Sequence, residues 1–178
     1  LYHLNSEGLL PPRFRVVGFS RRDWSDDDLR AHVREIVGAK YPSANDLEEF
    51  LGLFTYQRGT FADADAYAEL ARFTGAMACE WGACTNRLFY LAVPPQNYET
   101  ILGNLAASGL TAACSAEEGY TRVLVEKPFG HDVDSSKALD DLLASLFREE
   151  QIYRIDHYLA KEMLQGILAF RFHNDLLE

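Results

Sequence analysis

The run Leu88-Phe89-Tyr90-Leu91-Ala92-Val93, stopped by Pro94-Pro95, sets the frame for the rest of the chain. An unbroken apolar segment of this length, closed by prolines, reads as a β-strand covered on both faces. Downstream, Tyr98, Ile101, Leu102 and Leu105 recur at helical spacing, and Gly109 is placed to end that helix. Val123-Leu124-Val125 is a second buried strand and runs into Glu126-Lys127-Pro128. Ala138, Leu139, Leu142, Leu143 and Leu146 form the next helical face; Ile152 to Ile155 is a strand, and Leu159 to Phe170 returns to helix. Upstream, Phe14-Arg15-Val16-Val17-Gly18-Phe19 follows Pro11-Pro12 and reads as a strand. Ser25 is a helix N-cap, Asp26 to Asp28 suit the positive end of the helix dipole, and Leu29, Val33, Ile36 and Val37 keep the helical period. Leu47, Phe50, Leu51 and Phe54 make a further apolar stripe, and a weaker helix runs near Asp63 to Phe73.

Strands alternating with helices predict a parallel sheet with helices on both faces. Ligands of such sheets sit beyond the carboxyl ends of the strands. Four stretches lie there: Ser20-Arg21-Arg22, Pro94-Pro95, Glu126-Lys127-Pro128 and Asp156-His157-Tyr158.

Composition narrows the function. The chain has 178 residues, enough for a sizeable core, with 17 Lys+Arg against 27 Asp+Glu and a net charge of −10. That balance argues against a general nucleic-acid or anionic-membrane binder, which needs clustered cations. No apolar run reaches the ~18–20 residues of a membrane span, and no signal pattern opens the chain. Cys79, Cys84 and Cys114 are odd in number, which speaks against a disulfide scaffold or zinc ribbon and fits a reducing cytosol. The Cys79–Cys84 spacing is wrong for a usual metal pair, and no metal site is expected. The chain opens on Leu1-Tyr2-His3-Leu4 as if inside a helix, which suggests a piece of a longer protein.

Arg21 and Arg22 follow the first strand, where a guanidinium can grip an adenosine 2′-phosphate; the plain alternative is a solvated pair neutralised by Asp23 and Asp26 to Asp28. Lys127 at a strand end can reach an anionic or hydroxylic ligand, or simply be half of an exposed Glu-Lys pair. His157 and Lys161 are four apart and share a helical face; near a helix N-terminus they would cradle a phosphate monoester, with Tyr158 donating a further hydrogen bond. Asp156 could accept from an imidazole and fix its tautomer, or merely cap a helix.

Together these residues resemble the glucose-6-phosphate dehydrogenase family. The likeness rests on F-R-V-V-G from Phe14, N-R-L-F-Y-L-A-V-P-P from Asn86, R-V-L-V-E-K-P-F-G from Arg122 and Q-I-Y-R-I-D-H-Y-L-A-K-E from Gln151, closing with F-R-F-H-N from Phe170. R-I-D-H-Y-L-x-K-E is the most specific of these, whereas E-K-P also occurs in other sugar oxidoreductases. Ala160, Gly166 and His173 depart from the commonest family residues.

The resemblance implies a Rossmann-like doubly wound parallel sheet whose first strand and glycine-rich turn precede Leu1. It implies oxidation of glucose 6-phosphate at C1 to 6-phosphogluconolactone, with hydride passing to NADP. Lys127 would lie between coenzyme and sugar. His157, Tyr158 and Lys161 would hold the sugar phosphate, and Asp156 would orient a catalytic His supplied after residue 178. Arg21, with Arg22 beside it, would contact the 2′-phosphate, and Ala92 and Pro94 would line the coenzyme through their backbone. Residues 1–155 would form a partial dinucleotide-binding domain and 156–178 the start of the substrate domain. The parent enzyme would be a cytoplasmic homo-oligomer. The chain alone is expected to be inactive, because a strand missing from mid-sheet leaves its neighbours' ladder groups unpaired. Two alternatives stand beside this reading: another E-K-P-type sugar oxidoreductase, and a non-catalytic phosphosugar-binding or assembly protein on a decayed dehydrogenase scaffold.

Overall fold

The computed structural model describes residues 1–43, 46–113 and 119–156. These divide into two compact units, one before and one after the Ala83–Cys84 link.

In the first unit, α1 (Tyr2–Ser6) precedes β1 (Val16–Ser20), α2 (Asp26–Lys40), α3 (Leu47–Leu51), β2 (Phe54–Arg58) and α4 (Ala64–Trp81). β1 and β2 are parallel, in a register running from Val16↔Phe54 to Ser20↔Arg58. The expected N-cap is realised: the Ser25 hydroxyl accepts from the Asp28 N–H while the Asp28 carboxylate accepts from the Ser25 N–H, closing a capping box. Tyr2, Val37, Phe50 and Phe54 are buried together, with Val16, Leu29 and Val33 packed around them. Phe54 is therefore not the end of a helical stripe. Gly52 caps α3, and the β-prone Phe54-Thr55-Tyr56 run pairs with β1 as a strand that the helical period had concealed. α4 also extends past Phe73 to Trp81, where Gly82 at φ +59° ends it in the left-handed conformation.

In the second unit, β3 (Arg87–Leu91), α5 (Tyr98–Ala107), β4 (Thr121–Glu126), α6 (Val133–Leu146) and β5 (Ile152–Ile155) form two successive parallel crossovers, with strand order β3-β4-β5. Successive right-handed crossovers in one direction put both helices on one face of the sheet. Val123, Val125, Leu102 and Leu143 are fully buried, but Leu88 and Tyr90 are 58% and 57% exposed. The expectation that the Leu88–Val93 run is covered on both faces is thus corrected: its exposure alternates, as one helical layer requires.

All described strand pairs are parallel, as the doubly wound reading requires. Among the described residues, β1 pairs only with β2, and β3 only with β4. Cys79 is a free thiol and Cys84 is disulfide-bonded, a cross-link that the cysteine count did not reveal; Cys114 lies outside the described residues. No described helix is long and apolar enough to cross a membrane.

Candidate functional site

The carboxyl end of β1 opens into a tightly tied turn. The Tyr56 hydroxyl on β2 donates to the backbone carbonyls of Ser20 and Arg22 at 2.9 and 2.8 Å and lies 2.8 Å from the Ser20 hydroxyl. The Tyr56 N–H donates to the Asp26 carboxylate. Trp24 leans on Tyr56, and the Arg22 guanidinium lies 4.5 Å from the centre of the Trp24 ring in a cation–π contact. Beneath the turn, Phe19 packs on Tyr67 with ring centres 5.1 Å apart. Gly59 comes so close that a Cβ there would meet Phe19 and Ala66 at 2.5 and 2.6 Å, while its N–H donates to the Ser20 carbonyl at 3.0 Å.

The nearby carboxylates are committed elsewhere. Asp23 pairs with Arg58 at 2.8 Å, Asp26 and Asp27 with Arg30, and Asp28 with Ser25. None neutralises Arg21 or Arg22. Among the described residues, Arg21 makes no side-chain hydrogen bond or ion pair and is exposed. An unengaged guanidinium on a fixed backbone suits a phosphate monoester, so the residues present fit the 2′-phosphate of NADP.

In the second unit, the last ladder pair of β4 and β5 is Glu126↔Ile155. One step further along the same register stand Lys127 and Asp156, and their side chains form an ion pair. The ammonium is about half exposed and the carboxylate largely covered, 48% against 20%. Glu126 is held too, accepting a hydrogen bond from the Tyr90 hydroxyl. That bond, with burial and the carboxylate's charge, raises the Tyr90 pKa. The buried Tyr98 hydroxyl faces the Leu91 and Glu126 carbonyls at 3.4 Å, tying the ends of β3 and β4 together. The Lys127–Pro128 peptide is cis. Ala92 and Pro94 are exposed just past β3, and the Pro94 carbonyl accepts from Asn97 as a single 3-10 turn begins.

The structure thus joins Lys127 to Asp156, which the sequence reading treated as separate. It also adds Tyr90 and Arg58, which that reading did not single out, and ties the β1 turn through the Tyr56 hydroxyl. Only the register of the parallel pairs could have indicated these partners. His157, Tyr158 and Lys161 lie outside the described residues. Among the described residues no group of His, Cys, Asp or Glu could hold a metal ion.

Comparison with known proteins gives a consistent result. The family model described as glucose-6-phosphate dehydrogenase, NAD binding domain, matches residues 1–166. Glucose-6-phosphate 1-dehydrogenase 2 of Mycobacterium tuberculosis is 41% identical over 181 aligned positions, covering 100% of this chain and 35% of the relative. Glucose-6-phosphate 1-dehydrogenase of Bacillus subtilis is 36% identical, with 100% and 35% covered. A solved glucose-6-phosphate dehydrogenase in complex with its substrate glucose-6-phosphate superposes with a TM-score of 0.84 at 37% identity, over 99% of this chain and 36% of that one. The chain therefore spans about a third of the length of the curated relatives it matches.

Proposed function

The chain belongs to the glucose-6-phosphate dehydrogenase family, matching its NAD-binding domain, and from that premise we propose that the full-length polypeptide oxidises D-glucose 6-phosphate at C1 to 6-phosphogluconolactone. This is the entry step of the oxidative pentose phosphate pathway. The observation that carries the reading is the Lys127–Asp156 ion pair, which sets an ammonium and a carboxylate together at the sheet edge where α/β proteins take ligands.

NADP, when bound, supplies the nicotinamide that accepts the hydride from C1. Lys127 donates hydrogen bonds to the ligand oxygens beside the reacting carbon and holds the sugar in register. Asp156 accepts the N–H of the catalytic imidazole from the second domain, so that the other ring nitrogen takes the C1 hydroxyl proton. His157, Tyr158 and Lys161 grip the sugar phosphate, and binding energy far from C1 orients the reacting bond. Arg21 and Arg22 meet the coenzyme's 2′-phosphate, and the backbone at Ala92 and Pro94 lines the coenzyme. In this reading residues 1–155 serve the coenzyme and 156–178 begin the substrate domain. The enzyme is a homo-oligomer of the cytoplasm, where phosphorylated sugars and NADP are held because their charges do not cross bilayers.

The test is NADPH formation by the full-length polypeptide with glucose 6-phosphate. Lys127→Ala is expected to lower kcat/KM by about 10²-fold or more through lost positioning. Lys161→Ala is expected to raise KM for the phosphorylated sugar while the protein stays folded. Absence of NADPH formation by the wild type, or unchanged sugar-phosphate affinity in Lys161→Ala, refutes the proposal.

A further inference from the structure

We infer that Arg58, at the carboxyl end of β2, is a second determinant of coenzyme choice: it engages the adenosine 2′-phosphate together with Arg21 and is held ready for it by Asp23. The inference rests on the proposed NADP reading and adds to it a residue from a different strand.

The register sets the stage. Ser20 and Arg58 are direct partners at the last rung of the β1–β2 pair, and neighbouring strands lie about 4.8 Å apart. The Gly59 N–H to Ser20 carbonyl bond carries the pairing one step further, to where Arg21 leaves β1. The Arg58 guanidinium then reaches over the turn itself, because its Nη1 is 2.8 Å from the Asp23 carboxylate. Residues 20–22 are pinned by the Tyr56 hydroxyl, and the Arg22 guanidinium lies over the Trp24 ring. Arg58 therefore adds a guanidinium from β2 to those of Arg21 and Arg22 at this turn.

Magnitudes favour an exchange of partners. Both members of the Arg58–Asp23 pair are well exposed, at 62% and 87%, and an exposed ion pair contributes only about 0–1 kcal/mol. A phosphate monoester offers up to roughly two charges and three strong acceptors, and a guanidinium can meet it in bidentate fashion. The phosphate thus displaces Asp23 from Arg58. Without the phosphate, Arg58 keeps the Asp23 charge neutralised beside the ribose.

The test uses the full-length polypeptide and isothermal titration with adenosine 2′,5′-bisphosphate and with 5′-AMP, which differ in the phosphate at issue. Arg58→Ala is expected to weaken the bisphosphate about tenfold and 5′-AMP less than twofold. Arg58→Lys, which keeps the charge but not the fork, is expected to fall between wild type and Arg58→Ala. The double variant D23N/R58A is expected to bind the bisphosphate as weakly as Arg58→Ala. Recovery to wild-type affinity in that double variant would show that Arg58 only neutralises Asp23 and would overturn the inference. So would an equal loss for both probes, or no loss for either, in Arg58→Ala. Arg21→Ala separates the two readings: if it abolishes the preference for the bisphosphate while Arg58→Ala keeps it, only the present inference falls. If the wild type shows no such preference, the NADP reading falls with it.

Discussion

Replacing Tyr67 by Phe probes the packing beneath the β1 turn. Tyr67 is 2% exposed, its ring lies against Phe19, and its hydroxyl is buried with no hydrogen-bond partner among the described residues. Removal from water disfavours the phenolate and pushes the pKa from 10.0 up to about 12. A hydroxyl whose folded pKa lies above its unfolded value favours the folded state fully below the unfolded value. That contribution is lost as pH rises through the folded one. The rise corresponds to about 3 kcal/mol in all, of which about half is lost by about pH 11.

Tyr67→Phe removes both the titration and the unpaired hydroxyl. At pH 8 the variant should be at least as stable as the wild type, because a buried unsatisfied polar group costs about 1–3 kcal/mol. Between about pH 8 and pH 11, the wild type should lose on the order of 1 kcal/mol more than the variant. Urea unfolding of the full-length polypeptide and of the variant, extrapolated to water at both pH values, measures the difference. A gap that stays constant with pH, or a variant destabilised by more than about 1 kcal/mol at pH 8, would refute the argument that this hydroxyl is desolvated and unpaired.

Gly59→Ala should destabilise by about 1–3 kcal/mol, since the new methyl would press on Ala66 and Phe19 at the end of the β1–β2 pair. Thermal unfolding measures that loss, and a parallel decline in 2′,5′-bisphosphate affinity would show that the turn depends on this close approach. Ser25→Ala should cost about 1 kcal/mol by removing the N-cap of α2, read from the urea midpoint. Hydrogen bonds from the Ser25 N–H and hydroxyl hold the Asp28 pKa below its usual 3.8. The Asp28 contribution is therefore present above that value and is lost as pH falls below it. Asp28→Asn should accordingly differ from the wild type at pH 6 and converge with it in strong acid, as followed by helical circular dichroism.

What the sequence determined by itself was local. The Ser25 cap, the Gly109 stop at the end of α5, and the apolar runs of β3 and β4 follow from side-chain chemistry within a few residues. Recognition of the R-I-D-H-Y-L-x-K-E stretch supplied the proposed chemistry without any geometry. The tertiary structure decided the rest. It turned Phe54 from a helical stripe into β2, left one side of β3 exposed, and brought together Lys127 with Asp156, Tyr90 with Glu126 and Arg58 with Asp23. Those partners are separated by 29, 36 and 35 residues along the chain. Capping and periodicity act over one or two turns, whereas the register of a parallel pair is fixed only after a crossover has folded back on the sheet.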